Sequence, residues 1–242
     1  MVLSDPEEVR INKFIASSGF CSRRQADVLV EEGRVTIDSI TATAGSKVKG
    51  DSVVLIDGKP VVANDDHIYI ALNKPLGITC TTDRRDKDNI VDFLNLPDRI
   101  FPIGRLDKNS SGLILLTNDG DIVNKLLRAE FGHEKEYVVT VDKPYDKDFI
   151  KKMSEGVYLD ELDRTTSPCV VTPKGPRTFN IILTQGLNRQ IRRMCQAFGY
   201  KVVKLKRIRF MNILLGDMKP GEYRHLSSHE KQILFSMTTK RE

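Results

Sequence analysis

Two short amphipathic segments open the chain, and brief alternating stretches follow them. Residues 7–17 place apolar side chains at helical spacing, with two acidic residues in the first turn, where a helix dipole favours negative charge. A second helix is predicted after the turn SGFC, with Ser22 as its N-cap, Gln25 three residues later and Gly33 as its stop. The stretches RVTID, TATAGSKV and DSVVLID then predict small strands joined by tight turns.

A polar stretch, KPVVANDD at 59–66, contains a proline and no periodicity, so it predicts the connection between two domains, 1–62 and 63–242. Beyond it the apolar runs lengthen. Strands are predicted within IYIALNKP, DFLNLP, GLILLTNDGDIVNKLLR, KEYVVTV, TFNIILT and KVVKLKRIRF, and helices within DKDFIKKMSEGV and NRQIRRMCQAFG. Residues 81–89 lack periodicity and predict a surface loop. The second domain is therefore predicted to be α+β, with a mostly antiparallel mixed sheet and helices against its faces.

Composition narrows the class of protein. The chain has 242 residues, of which 40% are hydrophobic and 29% charged, as in ordinary globular proteins. Its apolar runs are far shorter than the roughly 18 residues that a membrane span needs, and its amino terminus is polar and acidic, so we expect a cytoplasmic protein without a membrane partner. The four cysteines are widely spaced, which predicts free thiols and no metal site.

The basic residues are unevenly distributed. Residues 164–216 contain eleven lysines and arginines and no acidic residue, although the net charge of the whole chain is only +5. Such an asymmetry is expected where one face meets a polyanion, and nucleic acid is the natural partner. Arg23 and Arg24 stand in the first turn of the predicted second helix, where positive charge is unfavourable; together with the helix-start amides they would form a phosphate site.

Two resemblances follow from these motifs. The run RINKFIASSGFCSRRQADVLVEEGRVTID resembles the S4 RNA-binding domain in its helix spacing, its arginine pair and its GxVxI strand. The loop and strand GRLDKNSSGLILLTNDG resemble the signature of pseudouridine synthases of the small-subunit/large-subunit ribosomal RNA family. Supporting motifs occur in the expected order: NKPLG at 73–77, HEKEY at 133–137, GLNRQIRRM at 186–194 and KLKRIRF at 204–210. The resemblance implies an S4-like module followed by a pseudouridine synthase domain.

The resemblance assigns the reaction's one required acid to Asp107. From the residues alone Asp107 is equally well explained as a turn residue. Isomerising uridine to pseudouridine breaks the N1–C1′ bond, turns the base and joins its C5 to C1′, so it implies no cofactor. In the mechanisms proposed for the family, Asp107 either attacks the sugar as a nucleophile or removes its C2′ proton to give a glycal. Both routes need an ionised carboxylate that is held in position.

Further residues take their roles from the resemblance. Arg192 would pair with Asp107, Tyr137 would stack on the target base, and Leu205 would line the same pocket. Arg105 would fill the space that the displaced base leaves, and Lys74 would brace the catalytic loop. Pattern alone explains these side chains as phosphate contacts, sheet residues or core. The residues assigned to the RNA backbone are Lys13, Arg23, Arg24, Arg189, Arg193, Lys204 and Arg207.

The predicted substrate is a uridine of ribosomal RNA, with the large subunit favoured because the HEKEYVVTVDKP and GLNRQIRRMCQAFGY stretches look closest to its enzymes. Small-subunit RNA and transfer RNA are alternative targets. A catalytically silent RNA-binding ribosome-assembly factor and a glycosidic-bond hydrolase are alternative classes. The sequence shows no heptad or apolar surface helix, which favours a monomer.

Overall fold

The computed structural model describes residues 8–62, 64, 66–127 and 132–238. The chain divides into two compact units. The first contains the described residues up to His67 together with Pro97–Arg99 and Asn118–Gly120, and the second contains the remainder. The main division therefore falls after His67, whereas the sequence predicted it after residue 62.

The first unit consists of two helices beside short antiparallel strands. These elements are β1 Val9–Arg10, α1 Ile11–Ser17, α2 Arg23–Glu31, β2 Val35–Ile37, β3 Ile40–Thr41, β4 Lys47–Val48, β5 Val54–Ile56 and β6 Lys59–Val61. The predicted N-cap of α2 is confirmed, because the Ser22 side chain accepts a hydrogen bond from the Gln25 amide and the Gln25 side chain accepts one from the Ser22 amide. Ile15, Ala26 and Val35 are buried in the core between helices and strands.

Two predictions for this unit are wrong. Helix α1 begins at Ile11 and has no acidic residue in its first turn. Glu8 precedes the helix and forms an ion pair with Lys47 at 2.9 Å, while Glu7 lies outside the described residues. The predicted connection at 59–66 begins with β6, which pairs with β5 at the edge of a four-stranded sheet. An edge strand tolerates Pro60, because a missing amide hydrogen there need not cost a ladder hydrogen bond.

The second unit is built around one nine-stranded sheet. Its helices and strands are β7 Tyr69–Lys74, α3 Ile90–Leu94, β8 Phe101–Ile103, β9 Ser111–Thr117, α4 Gly120–Leu127, β10 Lys135–Val141, α5 Lys147–Glu155, β11 Tyr158–Leu159, β12 Arg164–Thr165, β13 Val170–Gly175, β14 Thr178–Leu183, α6 Gln190–Ala197, β15 Val202–Phe210, β16 Ile213–Leu214, β17 Tyr223–His225 and α7 Ser228–Ser236.

The sheet has the order β13-β14-β10-β15-β9-β7-β17, with β16 beside β15 and β8 beside β9. Its pairs are antiparallel except for β9 with β15, which run parallel over two register pairs, Lys206 with Ser111 and Arg207 with Gly112. Two antiparallel halves are therefore joined by a short parallel ladder. This agrees with the predicted α+β class and mostly antiparallel sheet.

Apolar clusters fix the helices on the two faces of this sheet. Helices α5 and α6 bury Phe149 and Met194 in a cluster with β10, β14 and β15, and α3 buries Ile90 in a second cluster with β7 and β9. On the opposite face, Leu126 of α4 and Leu234 of α7 pack with other residues of β7, β9 and β15. No described helix has the length and apolar character needed to cross a membrane.

The stretch DFLNLP, predicted as a strand, is wrong: it belongs to the short helix α3. Asn89 caps this helix by accepting a hydrogen bond from the Asp92 amide at 2.8 Å, and Asn95 ends it with a left-handed backbone. Local capping thus overrides a short apolar pattern that fits either element.

Candidate active site

Asp107 lies in a tightly held loop between β8 and β9. The Ser110 amide donates to the Asp107 carbonyl at 2.9 Å, and the Gly77 amide donates to the Lys108 carbonyl at 2.9 Å. Leu106 is buried, and its amide donates to the Cys80 thiol at 3.3 Å. The Asp107 side chain is 33% exposed. The loop therefore presents one accessible carboxylate on a fixed backbone.

Arg192 of α6 contacts this loop from the other half of the sheet. Its Nε lies 3.7 Å from Asp107 Oδ2, which is an ion pair rather than a hydrogen bond. Its terminal nitrogens donate to the carbonyls of Asn109 at 2.6 Å and Val202 at 3.3 Å, and to Ser110 Oγ at 3.2 Å. The sequence-predicted partners Asp107 and Arg192 are thus brought together.

The charge of Arg192 is costly where it lies. Its side chain is only 14% exposed, and burial lowers the pKa of Arg192 while the Asp107 carboxylate raises it. Arg189 precedes α6 with a left-handed backbone, φ 51°, and its nearby charge also lowers the pKa of Arg192. A non-glycine residue in this conformation is often found at functional sites.

Four residues form a row across the sheet beside the Asp107 loop. Lys74 is paired with Gly112, Gly112 with Arg207, and Arg207 with Tyr137. Gly112 has a φ of 99°, and a Cβ there would lie 2.2 Å from the Arg207 carbonyl oxygen. Only glycine therefore permits the parallel strands to approach so closely at this point.

Lys74 is fully buried at one end of the row. Its Nζ donates to the carbonyls of Pro75 at 2.9 Å and Ile78 at 2.7 Å, so it fixes the turn that in turn holds the Lys108 carbonyl. Burial lowers the pKa of Lys74, and the nearby Cys80 and Asp107 raise it. These contacts are consistent with the bracing role that the resemblance assigned to Lys74.

Tyr137 lies between two apolar clusters. It packs half-buried against the cluster that contains Leu205 and against the one that contains Leu106 of the Asp107 loop. A register shift between Glu136 and Tyr137 leaves Ile208 of β15 unpaired as a bulge, a device that often re-aims side chains near active sites. Arg105 is exposed in the loop. The predicted site residues of this unit therefore surround one face of the sheet.

The predicted RNA contacts fall into three groups, which are those held by other contacts within the protein, one half-buried lysine and four exposed residues. Arg207 is corrected: it is 3% exposed and its Nε donates to the Leu113 carbonyl at 2.6 Å, so it lies in the sheet and not on an open RNA-facing surface. Arg193 is corrected in part, since it forms an ion pair with Glu161 and donates to Asn188. Lys13 is half-buried in the first unit. The residues that are exposed, as an RNA contact requires, are Arg23, Arg24, Arg189 and Lys204.

Sequence reasoning missed Cys80 and Lys135. Burial raises the pKa of the Cys80 thiol, against the opposing effect of the Leu106 amide hydrogen bond, so the thiol is an inert acceptor that holds the loop. No sequence signal marks it. Lys135 stands two residues before Tyr137 on β10, and the period of a strand places both side chains on one face. This spacing could have identified Lys135 from the sequence.

The arrangement can perform single-carboxylate chemistry. It offers one accessible carboxylate, one buried cation beside it, and an aromatic ring on the adjoining strands. Among the residues that the structure describes, no three His, Cys, Asp or Glu side chains group to hold a metal ion.

Comparison with known proteins defines the class. The family model for RNA pseudouridylate synthase matches residues 68–197, and the S4 domain model matches residues 9–54. The chain belongs to the RNA pseudouridine synthases, and carries an S4 domain ahead of the synthase domain. It is therefore an isomerase that converts uridine in RNA to pseudouridine.

Individual relatives extend this match along nearly the whole chain. The dual-specificity RNA pseudouridine synthase RluF of Escherichia coli (strain K12) is 52% identical over 231 residues, 95% of this chain and 79% of that protein. The ribosomal large subunit pseudouridine synthase B of Bacillus subtilis (strain 168) is 38% identical and covers 91% of this chain and 93% of its own length. A crystal structure of a pseudouridylate synthase superposes with a TM-score of 0.70 at 28% identity, over 93% of this chain and 99% of its own.

Proposed function

We propose that the protein isomerises a specific uridine of large-subunit ribosomal RNA, with Asp107 as the reacting carboxylate. The observation that carries the proposal is the Asp107 loop itself, in which one accessible carboxylate is fixed by backbone contacts and paired with Arg192 at 3.7 Å. The choice of large-subunit RNA is supported by the name of the B. subtilis relative. We propose transfer RNA as a second target, which agrees with the dual specificity in the name of the E. coli relative.

Each residue of the site receives a role. Arg192 keeps Asp107 ionised and oriented, Tyr137 holds the extruded base by stacking, and Leu205 supports the ring from below. Arg105, exposed in the same loop, occupies the space vacated by the base. The S4 unit binds the RNA backbone through Arg23 and Arg24. The enzyme needs no cofactor, acts as a monomer and works in the cytoplasm, where its RNA is assembled.

The test is the release of tritium from RNA labelled at uridine C5, because pseudouridine formation must remove that hydrogen. We expect the wild-type chain to release tritium from large-subunit ribosomal RNA and Asp107→Asn to release none. Asp217→Asn, an exposed carboxylate elsewhere in the same unit, serves as the matched control and should react at the wild-type rate.

Nucleoside analysis of the same RNA separates the alternatives. Pseudouridine in an intact chain supports the proposal, whereas free uracil and an abasic site would indicate hydrolysis. Tight RNA binding with no tritium release from ribosomal or transfer RNA would indicate a silent assembly factor.

A further inference from the structure

Two cationic side chains lie together in the sheet beside Tyr137, and the roles given above use neither. The Lys135 Nζ lies 5.9 Å and the Arg207 Cζ lies 5.5 Å from the centroid of the Phe210 ring. Lys135 is half-buried and Arg207 is almost completely buried. Water therefore solvates these two positive charges poorly.

No acidic side chain among the described residues forms an ion pair with either cation. Glu134 and Glu136 flank Lys135 in the sequence, but both carboxylates bind Arg209 at 3.0 Å. The Lys135 Nζ has one carbonyl acceptor, that of His133, at 3.3 Å. The Arg207 Nε donates to the Leu113 carbonyl, whereas its terminal nitrogens donate to no residue within the described part of the chain.

The surroundings of Lys135 act against its charge. Burial and, to a smaller extent, the neighbouring Arg207 together lower the pKa of Lys135 to about 8. Uncompensated charge of this kind costs stability, because desolvation penalises the charged form. A negative charge supplied by the substrate would remove that cost.

The position of the pair identifies which part of the substrate it meets. Arg207 is the register partner of Tyr137, and Lys135 precedes Tyr137 by two residues on the same strand. Tyr137 and Arg207 share the face of the sheet on which Leu205 and the Asp107 loop also lie. Both cations are therefore neighbours of Tyr137, one along β10 and the other across the β10–β15 ladder, whereas Arg192 contacts the Asp107 loop.

The reaction moves negative charge from the Asp107 carboxylate to the target base. If Asp107 is a nucleophile, its carboxylate bonds to C1′ as the C1′–N1 bond breaks. If Asp107 is a base, it takes the C2′ proton, a C1′–C2′ double bond forms, and the same bond breaks. In both cases the electron pair of the C1′–N1 bond leaves with uracil as an anion, and the charge passes from Asp107 to the base. Arg192 orients Asp107, so stabilisation of the departing anion must come from other groups, beside the base.

We propose that Lys135 and Arg207 form a cationic floor under the target base and stabilise the uracil anion formed when the C1′–N1 bond breaks. This inference rests on the proposed function. Fixed charges aimed at the place where charge develops are worth roughly 10²–10³ in rate when one is removed.

The experiment compares Lys135→Met, which removes the cation, with Lys135→Arg, which keeps it. With RNA that the wild-type chain modifies, we expect Lys135→Met to lose about 10²-fold in single-turnover rate while its dissociation constant for that RNA is unchanged. Lys135→Arg should retain most of the rate. On the same RNA carrying 5-fluorouridine, whose fluorine makes the base a better leaving anion, the defect of Lys135→Met should shrink; product is then detected by chromatography of the digested RNA.

The pH dependence provides a signature that a structural role would not produce. The wild-type rate should fall above about pH 8 as Lys135 loses its proton, and this fall should be absent in both variants. The ionisable groups that interact with Lys135 are Arg207 and His133, and burial lowers the pKa of His133, away from that of Lys135.

Three results would overturn the proposal: an unimpaired rate in Lys135→Met, a loss that lies in the dissociation constant and marks a phosphate contact, or an equal defect on 5-fluorouridine. Failure of the proposed function looks different, since the wild-type chain itself would then form no pseudouridine. Thermal unfolding of each variant shows that the fold is retained.

Discussion

Arg192 makes a prediction that separates electrostatic positioning from simple RNA binding. Replacing it with Met removes the ion pair to Asp107 and the hydrogen bonds to Asn109, Ser110 and Val202. Hydrogen bonds to a charged group contribute about 1.5–3 kcal/mol each, but part of this is recovered because a buried guanidinium no longer has to be desolvated. We expect the free energy of unfolding to fall by about 1–3 kcal/mol.

The effect on the reaction should be larger than the effect on stability. Loss of the fixed partner and displacement of the loop together should raise the barrier by about 3–4 kcal/mol, a fall of about 10²–10³-fold in single-turnover tritium release at saturating RNA. Arg192→Lys should be intermediate, because one ammonium group cannot reach acceptors on both the loop and β15.

The neighbouring arginine provides the matched control. Arg193 points to Glu161 and Asn188, so Arg193→Met removes the same charge from the same helix without touching the Asp107 loop. We expect its rate at saturating RNA to equal that of the wild type. The reasoning fails if Arg192→Met reacts within tenfold of the wild-type rate, or if Arg193→Met shows the same loss.

Three further predictions concern the scaffold. Gly112→Ala should lower the free energy of unfolding by about 3–5 kcal/mol in urea titrations, because the new methyl group overpacks the sheet at a residue with a positive φ. Gly186→Ala is the control: its Cβ would meet nothing within 4 Å, so it should cost under about 1 kcal/mol. Equal costs would exclude the close approach of the strands as the cause. Cys80→Ser keeps an acceptor for the Leu106 amide and should retain kcat, whereas Cys80→Ala should lose about tenfold at unchanged KM; identical kcat values would remove the positioning role. Below pH 8, Lys135→Met should have a higher free energy of unfolding than the wild type, by at most about 3 kcal/mol, and this difference should vanish towards pH 10.5. Between pH 8 and 10.5 the unfolded lysine keeps its proton while the folded one loses it, so the stability of the wild type rises with pH. A pH-independent difference would contradict the lowered pKa of Lys135.

The sequence predicted the longest strands of the second unit and its helices α5 and α6, because these have clear apolar periodicity. KEYVVTV and KVVKLKRIRF are strands β10 and β15, and NRQIRRMCQAFG contains α6. The sequence pattern predicted the short helices and strands less well. DFLNLP is helical because Asn89 caps it, and β6 forms where a proline suggested a connection.

The site shows the same division between local and non-local information. The pairing of Asp107 with Arg192 followed from the family resemblance and from no local pattern, since 84 positions separate the two residues along the chain. Arg207 was misassigned because charge alone does not report that a strand lies in the middle of a sheet. The register of β9, β10 and β15 decides its burial, and register depends on the whole sheet.

The two-pair parallel ladder between β9 and β15 is the hydrogen-bonded connection between the two antiparallel halves of the second unit's sheet. One antiparallel half carries Asp107 and Lys74, and the other carries Tyr137 and Arg192, so the proposed reacting carboxylate and the proposed base-binding residues lie in different halves of the sheet. The apolar cluster that contains Leu113 and Phe210 packs residues from both sides of this ladder. We therefore expect substitutions at Ser111 or Gly112 to change the alignment of the two halves, and with it the rate of reaction, more than they change RNA binding.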